Sequence, residues 1–236
     1  MIKPQKFQAR LSDRQDYNQR YSQYHFELIE PLTLENLAGQ YLMLQIDEKT
    51  ARAYSMSDRP DMNTSFELLV DHAPAGVGTQ FLRQLAFGAS VQVIAPLGQF
   101  VVKEDPEVEQ LIFVTSGSGI APIKSMITDL LQIKNDKRAV TLFWGMRHDS
   151  ELFWLDFFSD LQKSFPQFTF VPVISQPSAN WQLSIGHVTD YLQQLEKVDK
   201  AQFYLCGNPQ MVESVKQILT TKNVPAERII VEQFNT

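Results

Sequence analysis

Leu111-Ile112-Phe113-Val114-Thr115-Ser116-Gly117-Ser118-Gly119-Ile120-Ala121-Pro122 holds a strand, a turn and a helix start in twelve residues. Its first four residues form a continuous apolar run, the pattern of a strand buried on both faces. Gly117 and Gly119 allow the backbone to come close to a ligand, and Pro122 suits the first turn of a helix. A strand that turns directly into a helix aims backbone N–H groups and the positive dipole end at one point, where a pyrophosphate fits. The turn is not the G-x-G-x-x-G dinucleotide fingerprint, and such a turn can equally serve only to pack a helix close to a strand.

Toward the C-terminus the same alternation repeats. Val140–Gly145 leads to a helical pattern over Glu151–Lys163, Phe168–Ile174 to one near His187–Leu195, and Phe203–Cys206 to one over Pro209–Thr221, with Arg228–Glu232 as the last strand. Five apolar strands with helical crossovers predict a parallel α/β sheet of the nucleotide-binding type. The run Phe153, Trp154, Phe157 and Phe158 has helical spacing and reads as core. Cys206 ends a buried strand at the carboxyl edge, where ligands bind in such sheets, although a lone cysteine is ordinarily a buried structural thiol.

Toward the N-terminus the character changes. Short strand-like segments run over Lys6–Leu11, Tyr24–Glu30, Gln40–Ile46, Ala51–Met56, Phe66–His72, Ser90–Ala95 and Gln99–Lys103, separated by Pro, Gly, Asn and Asp. This spacing predicts an antiparallel β-barrel, interrupted by one helix from Gly78 to Phe87. The charged, proline-bearing Lys103-Glu104-Asp105-Pro106-Glu107 places the boundary between a barrel domain, residues 1–104, and a sheet domain, residues 105–236. Within the barrel, Arg52, Tyr54 and Met56 share one strand face. An arginine there can grip a diphosphate in bidentate fashion and a tyrosine can stack on a planar heterocycle, but a surface arginine and a half-buried tyrosine need no ligand. Gly76-Val77-Gly78-Thr79 precedes the helix, and Thr79 reads as its N-cap with a hydroxyl able to turn to a phosphate.

Composition narrows the function. The chain has 236 residues, 44% of them apolar, and a net charge of −6. An acidic chain lacks the basic face that nucleic-acid binding requires. The first twenty residues carry +3 and the remainder −9, and the basic edge reads as a solvated strand face. One cysteine excludes an internal disulfide and a cysteine-ligated iron–sulfur cluster among these residues. His25, His72, His148 and His187 show no metal-ligand spacing. With no apolar leader and no membrane-length apolar run, the chain is expected to be cytoplasmic.

Together these segments resemble the ferredoxin–NADP reductase superfamily, an FAD-binding barrel followed by an NAD(P)-binding sheet domain, over about Gly39 to Phe234. Arg52-Ala53-Tyr54-Ser55 resembles the family's R-x-Y-S flavin motif. The resemblance implies that Arg52 holds the flavin phosphate, that Tyr54 packs on the isoalloxazine and that Ser55 lies near its N5. Gly76-Val77-Gly78-Thr79 resembles the G-x-x-S/T pyrophosphate motif. Leu68-Leu69-Val70 is expected to pass along the flavin, and Pro96-Leu97-Gly98-Gln99-Phe100 is similar to the P-x-G-x-F segment that closes the barrel. Gly117-Ser118-Gly119-Ile120-Ala121-Pro122 resembles G-T-G-I-A-P. Cys206-Gly207-Asn208-Pro209-Gln210-Met211 is similar to C-G-x-x-x-M, which implies that Cys206 lies beside the nicotinamide. Val231-Glu232-Gln233-Phe234 resembles the closing V-E-x-aromatic, so Phe234 is expected to cover the flavin and Glu232 to sit near hydride transfer. Here two residues, Asn235 and Thr236, follow the aromatic, unlike plant-type members.

The resemblance implies an enzyme in which hydride moves from NADH or NADPH to bound FAD, with Ser55, Cys206 and Glu232 setting the polarity and a separate electron-acceptor protein receiving the electrons. The acceptor is expected to be a ferredoxin, a flavodoxin or an oxygenase on another chain. An alternative is an NAD(P)H:flavin reductase in which flavin comes and goes. Val171-Pro172-Val173-Ile174-Ser175-Gln176-Pro177 and Trp181 resemble that group, whereas Gly76–Thr79 suits a retained FAD. A third reading, a nucleotide-binding regulatory subunit, is expected to lack residues that are present here. NADP-using relatives often follow the serine after the third strand with Arg, but Ser175 is followed by Gln176. Arg147, after the second strand, is the candidate cation for a 2′-phosphate.

Overall fold

The computed structural model describes residues 2–73 and 75–233. The chain forms two compact units, Met1–Val102 with Lys124–Ile133, and Lys103–Ile123 with Lys134–Thr236.

In the first unit β1 (Gln5–Asp16), β2 (Tyr21–Glu30), β3 (Tyr41–Gln45), β4 (Ala51–Ser55), β5 (Ser65–Asp71) and β6 (Ser90–Leu97) form an antiparallel sheet of order β4-β3-β6-β1-β2-β5. A bridge between Met56 and Leu68 joins the two ends of that order, so the sheet nearly closes into the expected barrel. The period-2 pattern explains the closure. In β1, Phe7, Ala9 and Leu11 are buried between exposed Lys6, Gln8 and Arg10, and they join Tyr24, Phe26, Leu42, Phe66 and Val93 in one core. The basic edge is a solvated face, as its sequence indicates: Arg10 pairs with Glu27 at 2.7 Å and Arg14 with Asp16 at 2.7 Å, on exposed or half-exposed side chains. Such pairs add little stability.

Three expectations need correction. Gln99–Lys103 is not a strand, because Gly98 turns the chain out at a φ of +94° and Val101 N–H folds back on the Gln99 carbonyl. The barrel helix, α1 (Val77–Gln84), starts and ends earlier than predicted. Its N-cap is Gly76, which places Thr79 inside the first turn, where its hydroxyl donates to the Gly76 carbonyl at 2.9 Å.

The second unit holds β7 (Gln110–Ser116), α2 (Ile120–Thr128), β8 (Ala139–Met146), α3 (Leu155–Ser164), β9 (Phe168–Ile174), β10 (Ser184–Ile185), α4 (Val188–Gln193), β11 (Ala201–Cys206), α5 (Pro209–Thr221) and β12 (Ile229–Glu232). The strands are parallel in the order β10-β9-β8-β7-β11-β12. This is the predicted sheet with one addition, the two-residue edge strand β10. The predicted helix over Glu151–Lys163 splits into a 3₁₀ turn, Asp149–Glu151, and α3, parted by Trp154 at a φ of +55°. Of the aromatic run, Phe153 and Phe158 are buried against Trp144.

α2 begins in the second unit, and its later residues belong to the first. There Lys124 Nζ donates to the Ser57 carbonyl at 3.1 Å and meets Glu67 Oε2 at 3.4 Å, and Ser125 donates to the Asp58 carbonyl. Asp58 accepts the Glu67 N–H at 3.0 Å. Burial, opposed by that bond and reinforced by the Glu67 charge, pushes its carboxyl up to about 7. A carboxyl raised above its unfolded value of about 3.9 binds its proton more tightly when folded, so stability is lost as pH rises between those values. Asp58→Asn is therefore expected to stabilise the chain at about pH 8 and to leave it unchanged at about pH 4, read as the shift in denaturant midpoint. Equal shifts at both pH values would contradict this.

Candidate functional site

The first unit brings four of the expected residues together. β4 carries Arg52 and Tyr54, and α1 lies against them: a methyl group on Gly78 would stand 2.5 Å from Tyr54 Oη and 3.1 Å from Arg52 Cγ. A methyl group there would push the Tyr54 phenol aside, and Thr79 follows Gly78 in the same first turn. Backbone N–H groups at a helix start have no intrahelical acceptor, so the start of α1 at Val77 and Gly78 brings such donors beside the Arg52 side chain, an arrangement that fits a diphosphate. Arg52 is exposed, and its guanidinium donates to its neighbour's carbonyl, that of Ala51, at 2.9 Å. Tyr54 packs on the barrel core through its ring. Burial, with Tyr24 adding and Arg52 opposing, pushes its phenol up to about 12, so it stays protonated. Ser55 is buried at the end of β4, opposite Tyr41, and Ala53 is exposed.

On β5 alternation separates Leu69 from Val70. Val70 joins Phe66 and Leu68 in the barrel core, so it offers a ligand backbone only, while Leu69 lies on the other face.

In the second unit two turns cross at the carboxyl edge of adjacent strands β7 and β11. A methyl group on Gly119 would lie 2.5 Å from the Cys206 carbonyl oxygen, and one on Gly207 would lie 2.6 Å from Ser116 Oγ. Gly117 and Gly207 hold φ of +56° and +136°, the left-handed half of conformational space. Ser116 Oγ accepts the Asn208 N–H at 2.9 Å. Asn208 caps α5, its side chain accepting the N–H groups of Gln210 at 2.8 Å and Met211 at 3.4 Å, with Pro209 in the first turn. Ser118 sits in the 3₁₀ turn Gly117–Gly119, and Pro122 lies in the first turn of α2, which opens at Ile120. The two helices thus begin side by side at one strand edge.

Parallel register sets Trp144, Thr115, Cys206 and Glu232 in one row across β8, β7, β11 and β12. Cys206 is fully buried, and burial, with the Glu232 charge second, pushes its thiol well above the ordinary range, so it is a neutral thiol and no nucleophile. Arg147 leaves the end of β8 and donates through Nε to Gln176 Oε1 at 3.2 Å, so the residue after Ser175 holds its side chain. Phe234 lies outside the described residues. Sequence reasoning passed over Ser116 as a hydroxyl within a motif and Trp144 as one more apolar strand residue. Among the described residues no cluster of His, Cys, Asp and Glu fits a metal.

Two family models match this chain, one after the other. Residues 8–102 match the family described as the oxidoreductase FAD-binding domain, and residues 113–217 match the oxidoreductase NAD-binding domain. The chain belongs to the ferredoxin–NADP reductase superfamily. It is 34% identical over 225 residues to the reductase component of a phenol 2-monooxygenase from Pseudomonas sp. strain CF600, covering 90% of this chain and 61% of that protein. It is 32% identical over 206 residues to one component of a Na⁺-translocating NADH-quinone reductase from Neisseria meningitidis, covering 80% and 50%. The chain thus spans about half to three fifths of the length of these curated relatives. Among solved structures, an Amycolatopsis cytochrome P450 reductase superposes with a TM-score of 0.90 at 27% identity, over 99% of this chain and 71% of that one.

Gly119→Ala forces the two backbones apart and is expected to cost about 1–3 kcal/mol of stability, read by denaturant unfolding. Unchanged stability would mean that the two turns do not cross this closely.

Proposed function

We propose that this chain takes a hydride from a reduced nicotinamide nucleotide onto bound FAD and passes the electrons to a separate acceptor protein. The observation that carries the reading is the convergence of Arg52, Tyr54 and Gly78, a cradle that a single methyl group would fill. When FAD is bound, its ring supplies a two-electron acceptor that can release electrons singly or in pairs. Arg52 and the first turn of α1 hold the diphosphate, Tyr54 lies on the ring and Ser55 offers its hydroxyl near N5. Leu69 and the Val70 backbone line the flavin. In the second unit Gly117, Ser118, Gly119 and Pro122 present the N-terminal end of α2 to the nucleotide's diphosphate. Gly207, Asn208 and Met211 shape the nicotinamide side, where Cys206 supplies a neutral, weakly polar wall and Glu232 the local charge. Phe234 is assigned the flavin-covering role by family resemblance. The proposed domain division is 1–104 and 105–236. The protein's task is orientation, because hydride transfer needs reacting atoms about 3–3.5 Å apart.

NADH is the favoured donor, since Arg147, the candidate cation at the end of β8, is already engaged through its Nε by Gln176. Similarity to a monooxygenase reductase component and to a quinone reductase component supports a protein acceptor, a ferredoxin, flavodoxin or oxygenase component. Among the described residues no helix is long and apolar enough to cross a membrane, and we place the protein in the cytoplasm.

Desalting tests the reading. The native chain is expected to keep about one FAD per chain, whereas Arg52→Ala, losing a charged hydrogen-bond partner of the diphosphate, is expected to bind FAD about tenfold or more weakly. A colourless native chain that reduces added flavin with NADH would make flavin a substrate. Undiminished flavin retention in Arg52→Ala would remove Arg52 from the site.

A further inference from the structure

We infer that Trp144 is a positioning residue for the nucleotide-binding turn, acting through its indole N–H. Trp144 is fully buried, and its ring packs edge-on against Phe153 at 5.0 Å and Phe158 at 6.2 Å. From this fixed position Nε1–H donates to the Gly117 carbonyl at 3.2 Å. The same carbonyl accepts the Ile120 N–H that starts α2. Both acceptor positions of Gly117 are therefore used, and its C=O is drawn toward the core side of the turn.

The consequence follows from peptide geometry. In a planar trans peptide the C=O and the N–H of the same unit point in opposite directions. With the Gly117 carbonyl held toward Trp144, the Ser118 N–H of that peptide is turned away from the core, to the open side of the turn. Gly117, at a φ of +56°, is the residue freest to flip this peptide, so the turn needs a lock. A phenylalanine at position 144 could fill the same aromatic cluster but has no N–H to give, so the indole is required for the bond and not for the packing. Trp144 itself touches no ligand. It fixes the direction of one donor that does.

The inference rests on the reading that this turn binds a nucleotide diphosphate, and its test separates the two. Calorimetric titration with ADP, which carries the diphosphate without nicotinamide, is compared for the native chain, Trp144→Phe and Phe158→Leu. Trp144→Phe is expected to weaken ADP about five- to tenfold, the usual worth of one hydrogen bond, and to raise KM for NADH with kcat unchanged. Phe158→Leu disturbs the same cluster while leaving the indole N–H in place, and is expected to lower the melting temperature without changing ADP affinity. The inference is overturned if Trp144→Phe binds ADP as the native chain does. It is also overturned if both variants lose affinity in proportion to stability, which would make the tryptophan structural only. A native chain that binds neither ADP nor NADH would overturn the reading of the turn itself, and the inference with it.

Discussion

Backbone must lie on backbone where β7 and β11 end, and most of the second unit is arranged around that demand. The sheet order makes these two strands neighbours, so their chains leave the carboxyl edge together and turn into α2 and α5. There is no room for a side chain at Gly119 or Gly207, and the Ser116 hydroxyl fills the remaining gap by accepting the Asn208 N–H. Two helix starts held this close bring their positive dipole ends to one place, which is the property an anionic nucleotide needs. The apolar strands beneath hold that crossing rigid. Ile112, Val114, Phe203 and Leu205 bury one face of it against α4 and α5.

The barrel solves a similar problem by other means. There the arginine of β4 meets the first turn of α1, and the absence of a side chain at Gly78 lets the helix reach the strand. Tyr54 has its ring on the core and its hydroxyl at the helix, so one residue ties α1 to the barrel core. Two titratable side chains of the half-sites are held neutral by burial, the Cys206 thiol and the Tyr54 phenol. Such a site suits chemistry carried by cofactors, with the protein supplying orientation and polarity.

Much of this was legible in the residues. The apolar runs Leu111–Val114 and Phe203–Cys206 have the pattern of doubly buried strands, and the alternation Phe7, Ala9, Leu11 marks a half-exposed one. What stayed hidden has physical causes. β10 is two residues long, too short to show any period. Gln99–Lys103 has strand-like composition, yet the turn at Gly98 removes it from the ladder. Thr79 looked like a cap because threonine favours that position, but Gly76 takes it and the Thr79 hydroxyl bonds back to the Gly76 carbonyl within the first turn. Trp144 contributes a directional N–H from within an apolar strand, and hydropathy registers such a residue only as an apolar one. The shared character of α2, whose later residues belong to the barrel unit through Lys124 and Ser125, was equally invisible, because nothing in a linear boundary between residues 104 and 105 anticipates it.

The central claim is that both half-sites serve one two-electron transfer, and an anaerobic titration of the flavin-loaded chain with NADH tests it most directly. The expected result is a visible flavin band that bleaches with about one NADH per flavin and recovers when an oxidised acceptor is added. A flavin that stays bound and yellow under excess NADH and NADPH would contradict it.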